Sequence, residues 1–341
     1  MMQTFQLRTQ VCFGEGALNA LGTLLGRRYF IVTDPFFAKD GTAQRIGALC
    51  KGEIEIFDGV RPDPPLSVVA EGLAGLQKFG ADTLIALGGG SAIDCAKGMV
   101  SIGSDRPYFV AVPTTSGTGS EVTAFAILTH NGVKYPLVEP AVRPDMAILD
   151  DSLLENLPPS LIADSGMDVI AHCVEAVVAK NASPFTQSLA VTAFQSAMKI
   201  LFPSFQGERK GRGEIHLAAT MAGIAFDHAG LGLCHALSHG LGGRFHIPHG
   251  RLNGILLPHV MAYNREACSY GMLGSNPVFS VSRLARRLRI PRTLSDAGIK
   301  AGEVLDAMDL LCEAALADPC CATNPRTPTM SDCRSILRAC L

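Results

Sequence analysis

The 341-residue chain contains no tryptophan, and aromatic residues make up only 6% of it. So few flat rings argue against a surface that stacks the bases of single-stranded nucleic acid. An excess of charge is also lacking, because 29 Lys and Arg residues nearly balance 31 Asp and Glu residues. A formal net charge of −2 sets up no strong field, so we expect neither nucleic acid nor a membrane as partner.

Long apolar runs are missing as well. No run reaches the roughly 20 residues needed to cross a bilayer, and the first ten residues do not resemble the apolar core of a secretory signal. The eleven cysteines are irregularly spaced and lack the CxxC pattern of a zinc knuckle. We therefore expect a cytoplasmic protein whose thiols are reduced.

Short apolar runs alternate with helical patterns in the first half of the chain. Runs of about five residues, apolar throughout or alternating with period two, occur at residues 29–34, 53–57, 83–87 and 109–113. Such runs, separated by helices, are typical of a parallel sheet that is covered on both faces. We predict a Rossmann-like α/β domain with a doubly wound parallel sheet over residues 1–157.

The character of the chain changes at Pro158 and Pro159. Beyond this step the sequence is rich in alanine, and helical spacing of apolar residues is evident over residues 165–179, 184–202, 214–225, 231–241 and 251–263. We predict an all-α domain over residues 158–341, in which residues 268–281 remain unassigned.

A glycine-rich turn, Gly88-Gly-Gly-Ser-Ala-Ile-Asp94, joins a predicted strand to a predicted helix. Glycines leave no Cβ between backbone and ligand, and a helix that starts near Ser91 offers unpaired N–H groups to an anion. These features suit a pyrophosphate, although a plain tight turn has the same composition. A second polar segment, Thr114 to Glu121, follows the next strand, and open α/β sheets bind ligands at such strand ends.

Asp34 ends an earlier predicted strand. A carboxylate in that position can accept hydrogen bonds from a ribose diol and repel a 2′-phosphate, which favours NAD over NADP. Its position just before Pro35 is equally consistent with a helix N-cap.

Histidines are placed unevenly in the second half. Asp168 and His172 are four residues apart on one predicted helix, and His235 and His239 are four apart on another, so each pair shares a helix face. His249 follows in a Pro-His-Gly turn. Burying these groups among apolar helices is costly unless a partner compensates, and a divalent cation would do so. The ligand types suit Fe(II), Zn(II) and Ni(II) comparably.

These motifs resemble those of the iron-containing (group III) alcohol dehydrogenases over nearly the whole chain. Besides the glycine turn, the resemblance rests on residues 112–123, 144–150, 166–172, 235–264 and 324–326. It implies a dehydroquinate synthase-like architecture, with an α/β domain followed by an all-α domain. Residues 132–137 and 242–250 are similar to the propanol dehydrogenases of propanediol-utilisation operons. Ethanol dehydrogenases of ethanolamine utilisation are similar too.

The resemblance implies a role for each matching residue. Asp168, His172, His235 and His249 would bind the metal, and His239 would lie beside the nicotinamide as a proton relay. The residues that would bind the cofactor are Asp34, Gly89, Gly90, Ser91, Asp94, Thr114, Thr115, Thr118 and Lys134. Asp63 replaces the family's usual Asn, which puts its contact with adenine in doubt. The implied cofactors are NAD(H) and Fe(II), with Zn(II) as the alternative metal.

The implied reaction is hydride transfer between NAD(H) and a short-chain primary alcohol or aldehyde, 1-propanol and propanal first, with a metal-polarised oxygen. A homodimer is expected. The similarity to the propanol dehydrogenases of propanediol-utilisation operons also implies a bacterial microcompartment, with its shell and enzymes as partners.

A dehydroquinate synthase-type lyase would need basic residues near the histidines, where few occur. The intact ligand set together with the glycine turn argues against a shortened, non-catalytic relative that acts as a metal-binding or shell-associated scaffold protein. The stretch after Asn264 is shorter than the family's, which would open one wall of the substrate cleft.

Overall fold

The computed structural model describes residues 4–131 and 133–341, so Gly132 of the 132–137 segment lies outside the described residues. The chain divides into two compact units, Met1–Asn156 and Leu157–Leu341. All eleven cysteines are free thiols. Among the described residues, the first unit contains two clusters of buried hydrophobic residues, and the second unit contains one.

The strands all belong to the first unit. They are β1 (Gln10–Phe13), β2 (Arg28–Val32), β3 (Glu53–Phe57), β4 (Thr83–Gly88), β5 (Tyr108–Pro113), β6 (Phe125–His130), β7 (Val133–Val138) and β8 (Met146–Leu149). Six of them form one parallel sheet in the spatial order β1-β8-β5-β4-β2-β3, and β6 pairs with β7 as an antiparallel hairpin. The predicted parallel α/β sheet is therefore confirmed.

Four α-helices accompany the sheet, namely α1 (Pro35–Lys39), α2 (Thr42–Gly47), α3 (Leu66–Phe79) and α4 (Gly90–Ile102). Alternate strand residues point to opposite faces of the sheet. On one face Phe30, Leu84 and Phe109 pack with residues of α3 and α4. On the other face Ile31 and Ile85 pack with residues of α2. Burial on both faces explains why the strand sequences are apolar almost throughout.

The chain leaves β2 and β4 in opposite directions across the sheet. The segment after β2 leads outward to β3, at one edge of the sheet, whereas α4 leads from β4 to β5 on the other side. Adjacent strands with diverging connections leave a crevice at their carboxyl ends, where doubly wound sheets bind ligands. Asp34 follows β2 and the glycine turn follows β4, so both lie at this switch point.

The second unit is helical in the part of the chain that the structure describes. Its helices are α5 (Pro159–Val178), α6 (Pro184–Phe205), α7 (Arg212–Ala229), α8 (Leu233–Phe245), α9 (His249–Asn264), α10 (Pro277–Arg287), α11 (Ala301–Asp306), α12 (Met308–Ala317), α13 (Pro319–Ala322) and α14 (Met330–Ala339). Proline opens α5, α6 and α10, where its fixed φ suits the first turn. The unassigned residues 268–281 contain a short 3-10 turn and the start of α10. The predicted helical domain is confirmed.

Within the described ranges, no single helix has the length and apolar character required to cross a membrane. Among the helices that the structure describes, α7 and α8 meet that test when taken together, and they are bent by 105° at their junction.

Candidate functional site

The four predicted metal ligands come from three helices of the second unit. Asp168 and His172 lie on α5, His235 lies on α8, and His249 is the first residue of α9. Oδ1 of Asp168 is 3.7 Å from Nε2 of His235 and 3.6 Å from Nε2 of His249. Nε2 of His172 is 4.0 Å from the same oxygen. The structure thus brings together all four side chains, which the sequence separates by up to 81 positions.

The ligand atoms of Asp168, His235 and His249 lie within 4.8 Å of one another. Nδ2 of Asn253, on α9, is a common neighbour of all three. It is 2.7 Å from Oδ1 of Asp168, 3.3 Å from Nε2 of His235 and 3.1 Å from Nε2 of His249. Three ligand atoms that share one close neighbour face a single point, as metal ligands must.

The ring of His172 stacks on two neighbouring rings. Its centroid lies 4.4 Å from that of Phe226 and 4.6 Å from that of His235. The two imidazole planes differ by only 17°. Packing of this kind fixes the orientation of a ring before any ligand arrives, which favours a preorganised site.

Glu175 orients His235 and was not singled out by the sequence analysis. Nδ1 of His235 donates to Oε2 of Glu175 at 2.6 Å, so the neutral ring keeps its lone pair on Nε2, toward Asp168. The same carboxylate accepts the backbone N–H groups of Gly232 and Cys234 at 3.0 and 2.7 Å. It therefore caps the first turn of α8 and sets the tautomer of a ligand on that turn.

Close contact between α5 and α9 positions His249. Arg251 donates to both carboxylate oxygens of Asp164 at 3.1 and 2.9 Å. Gly250 lies so near α5 that an added Cβ would be only 1.8 Å from the backbone oxygen of Asp164. Only glycine allows that approach, which places His249 against the carboxylate of Asp168.

The charges in the cluster are strongly coupled. Burial opposes a charged Asp168, but the imidazoles of His172, His249 and His235 outweigh it and hold the pKa of Asp168 well below its usual range. Burial favours a neutral His235, yet Asp168 and Glu175 raise its pKa to about 9. Desolvation within the cluster and the neighbouring histidines together outweigh the attraction of Asp168 and hold the pKa of His249 well below its ordinary value. A buried site that holds an ionised carboxylate among imidazoles suits a cation.

A divalent metal ion fits this donor set. One carboxylate oxygen and three imidazole nitrogens are ligands for Fe(II) and Zn(II) alike. The side chains of Asp168 and His235 are only 6% and 1% exposed, whereas that of His249 is 33% exposed. The cluster therefore opens to solvent on the side of His249, where a substrate can enter.

His239 lies one helical turn after His235 on α8 and adjoins the cluster. Its ring stacks on that of His249, with centroids 5.1 Å apart and planes 15° from parallel. Nδ1 of His239 donates to Oδ2 of Asp318 at 2.8 Å, which leaves Nε2 as the basic nitrogen of the neutral ring. Burial of the Asp318 carboxyl acts to raise its pKa, but the interaction with His239 outweighs burial and lowers that pKa.

The glycine turn and the threonine segment of the first unit come together. An added Cβ on Gly90 would lie 2.8 Å from the methyl carbon of Thr118, and one on Gly89 would lie 3.3 Å from Oγ1 of Thr115. The backbone N–H of Thr114 donates to the carbonyl of Gly88 at 3.0 Å. Ser91 lies in the first turn of α4, whose N–H groups point into this region. The glycine backbone beside the N-terminus of α4 is suited to an anion.

Asp34 acts as the N-cap of α1. Its Oδ1 accepts the N–H groups of Phe36 and Phe37 at 2.9 and 3.3 Å. Its other oxygen, Oδ2, would lie 3.8 Å from an added Cβ on Gly88, so the carboxylate also borders the glycine turn. The prediction that Asp34 is a helix N-cap is therefore confirmed. Because the cap uses Oδ1, the other oxygen can still accept a hydrogen bond from a ribose.

Asp94 is engaged inside the protein. Its oxygens accept the hydroxyl of Ser120 at 2.7 Å and the N–H of Ile127 at 3.0 Å. Lys97, wholly buried one turn later, donates to Ser120 and Thr123 at 2.8 and 3.1 Å and to the carbonyl of Phe125 at 2.6 Å. Both residues hold the segment that follows the threonines. Asp94 can thus support a cofactor site through that segment.

Lys134, on β7, forms an ion pair with Asp63. Its Nζ lies 2.6 Å from Oδ1 of Asp63, a residue with a positive φ of 52°. Lys134, an expected cofactor residue, and Asp63 are therefore direct partners. No local pattern indicates this pairing, because 71 positions separate the two residues.

Comparisons with known proteins identify relatives along nearly the whole chain. Residues 8–151 match the profile of iron-containing alcohol dehydrogenases, and residues 162–341 match the C-terminal profile of the same family. The chain is 36% identical to a 1-propanol dehydrogenase of Citrobacter freundii, over 98% of this chain and 99% of that protein. It is 34% identical to an NADPH-dependent butanol dehydrogenase of Clostridium saccharobutylicum, over 98% and 97%. The solved structure of a 1,3-propanediol oxidoreductase superposes with a TM-score of 0.94 at 30% identity and covers both chains fully.

Proposed function

The chain belongs to the iron-containing alcohol dehydrogenase family, oxidoreductases that act on CH–OH groups, and we propose that it interconverts 1-propanol and propanal with NAD(H). The convergence of Asp168, His172, His235 and His249 is the observation that supports this proposal. Two relatives act, by name, on 1-propanol and on butanol, so a short-chain primary alcohol is the natural substrate class.

These four side chains would hold the metal, Fe(II) in our proposal and Zn(II) as the alternative. When bound, the ion supplies a Lewis acid that draws charge from the substrate oxygen. Asp168 contributes the negative charge that holds the cation, and Glu175 keeps Nε2 of His235 available. The partly exposed side of His249 gives the substrate access.

Oxidation of an alcohol to an aldehyde releases one hydride and one proton. NAD, held as described below, would supply the hydride acceptor in its nicotinamide ring. We assign the proton to Nε2 of His239, because Asp318 engages Nδ1 and thereby makes Nε2 the basic nitrogen. In the reverse direction the same nitrogen returns the proton.

The dinucleotide would bind at the switch point of the sheet in the first unit. Gly89, Gly90 and Ser91 would bind the pyrophosphate with the N-terminus of α4. Thr114, Thr115 and Thr118 would line the nicotinamide end. Asp94 would hold the loop in place, and Lys134 would lie toward the ribose phosphates. The butanol dehydrogenase relative uses NADPH by name, so cofactor choice differs among relatives. Asp34 favours NAD here, since its charge repels a 2′-phosphate.

Metal analysis of anaerobically purified protein, with NADH oxidation on a C2–C4 aldehyde series, tests the proposal. We expect one iron per chain and the highest kcat/KM with propanal. His235→Ala should lose both metal and turnover, whereas His259→Ala, which alters a half-buried histidine outside the cluster, should keep both. Full activity of metal-free His235→Ala protein would refute the metal's role, and a preference for acetaldehyde would favour the ethanol-dehydrogenase alternative.

We further propose a homodimer that works inside a bacterial microcompartment. This proposal is supported by the similarity to the 1-propanol dehydrogenase. It is also supported by residues 132–137 and 242–250, which resemble the propanol dehydrogenases of propanediol-utilisation operons. Light scattering of the purified protein should give twice the chain mass of 36.0 kDa. A tagged chain should co-sediment with shells in cells that produce them, and a chain confined to the unsedimented fraction would argue against encapsulation.

A further inference from the structure

His239, Asp318 and Cys320 form a second group of metal-ligating side chains. Their ligand atoms lie within 4.8 Å of one another, and the closest pair, Nδ1 of His239 and Oδ2 of Asp318, is 2.8 Å apart. His239 is on α8, whereas Asp318 and Cys320 lie where α12 meets α13. Oδ1 of Asp318 accepts the N–H of Cys320 at 2.8 Å, which fixes these two residues relative to each other.

We propose that His239, Asp318 and Cys320 bind a second divalent ion, Zn(II), and that this ion inhibits the enzyme. Binding requires only the three side chains. Inhibition rests on the proposed function, because it acts through the proton-accepting role of His239.

The spacing of the three atoms suits such an ion. No two of the three ligand atoms are more than 4.8 Å apart, so an ion placed among them would lie at most about 2.8 Å from each, and shifts of about 0.5 Å give normal Zn–N, Zn–O and Zn–S distances. The side chains of His239 and Asp318 are 17% and 13% exposed, so an ion can reach them from solvent. Three protein ligands leave the fourth tetrahedral position to water.

Charge and ligand type select the ion. The carboxylate of Asp318 and a thiolate on Cys320 together neutralise a divalent cation, which a partly buried site requires. A thiolate favours Zn(II) over harder ions such as Mg(II) or Ca(II). The cluster around Asp168 contains only oxygen and nitrogen ligands, so the two sites differ in preference.

Binding of Zn(II) would inhibit the enzyme because it changes which nitrogen of His239 carries the proton. Zn(II) forms bonds to Nδ1 of His239, to Oδ2 of Asp318 and to Sγ of Cys320. The thiol proton is released to solvent, and the imidazole proton moves from Nδ1 to Nε2. No electrons are transferred. With Nε2 protonated, His239 can no longer accept the proton of the alcohol, so turnover stops.

Cys320 and its neighbour Cys321 provide a matched pair of variants, since both are buried free thiols. The protein, loaded with its own metal, is titrated with Zn(II) while activity and bound iron are followed. In a separate titration without substrate, Cd(II) replaces Zn(II) and the ultraviolet absorption of a cadmium–thiolate bond is recorded.

We expect wild type and Cys321→Ser to be inhibited with their iron retained, and to show the cadmium–thiolate band at one equivalent. Cys320→Ser should need at least about tenfold more Zn(II) for inhibition, the loss that even an outer partner of a metal site produces, and it should lack the band. Equal Zn(II) sensitivity of the two variants, or release of iron as zinc enters, would overturn the proposal. The cadmium titration requires no turnover, so its result stands even if the proposed dehydrogenase activity fails.

Discussion

Asp168, His172 and Glu175 lie along one face of α5, at intervals of four and three residues. A single helix therefore provides two of the proposed ligands and the carboxylate that orients a third proposed ligand on α8. The four-residue spacing predicts the Asp/His pair, whereas Glu175 received no predicted role, although its spacing continues the pattern. A buried acidic residue in register with two ligands is the signal that could have revealed it.

Replacing Glu175 with Gln should weaken metal binding. The amide side chain would retain an oxygen for the cap of α8 but would lose the negative charge that orients His235. We expect metal affinity to fall by about 10–100-fold, as for other outer partners of metal-ligating histidines. A chelator competition measures the change. Glu214→Gln, at an exposed position of α7, is the control, and equal affinity in both variants would leave Glu175 with the capping role alone.

Replacing Asp34 with Ser should shift the cofactor preference toward NADP(H). Serine keeps an oxygen for the N-cap of α1, so the helix should be retained, while the charge that repels a 2′-phosphate is lost. The ratio of kcat/KM values for NADPH and NADH should rise by at least about tenfold, or about 1.4 kcal/mol. A ratio unchanged from wild type would leave Asp34 as a cap only.

Metal affinity should increase with pH. In the metal-free protein Asp168 and Glu175 raise the pKa of His235 to about 9, so this residue is protonated at neutral pH. A metal ion must displace that proton from Nε2, which weakens binding progressively below pH 9. Calorimetric titrations in buffers of different ionisation enthalpy should reveal the released proton. Binding that is independent of pH between 7 and 9 would contradict this account.

At the scale of elements, the crossing of α5 and α9 fixes the position of His249. Gly250→Ala should force α9 away from α5, because the new methyl group would overlap the backbone oxygen of Asp164. We expect a loss of stability of about 1–3 kcal/mol and weaker metal binding. Urea unfolding and metal analysis measure the two effects.

Gly302→Ala is a matched control for that change. This glycine also lies near the start of a helix, α11, but an added Cβ would contact nothing within 4 Å. Alanine is the better helix former, so this variant should be as stable as wild type or more so. If both variants behaved alike, the approach of α9 to α5 would not be the limiting contact.

Some strands could be predicted from the sequence because strands buried on both faces consist almost entirely of apolar residues. β2, β4 and β5 are buried almost throughout and read as apolar runs. β1 is short and mostly exposed or half-buried, and the β6–β7 hairpin lies outside the main sheet, so neither produced a clear pattern. In the site, four-residue spacing revealed the pairs on α5 and α8. Asn253 and Asp318 reach their partners only through tertiary folding, which no local pattern records.

At the scale of the whole molecule, the metal should act as a clamp on the second unit. Its four proposed ligands come from α5, α8 and α9, so a bound ion would stabilise the folded arrangement of these helices. Free metal at about 100 times its Kd contributes about 2.7 kcal/mol, or about 5–10 °C in Tm for a unit of this size. Scanning calorimetry after chelation and after metal return should show this shift. An unchanged transition would mean that the helices are fixed without the ion.

The burial of Lys97 determines when its amine can react with small molecules. Its ammonium group is hidden from solvent and bonded to Ser120, Thr123 and Phe125. An acylating agent, whether a laboratory reagent or a reactive metabolite, meets this amine only when the segment over it has opened. An acyl group found on Lys97 therefore shows that the segment over it had unfolded. Acylation of lysines on the surface does not report unfolding.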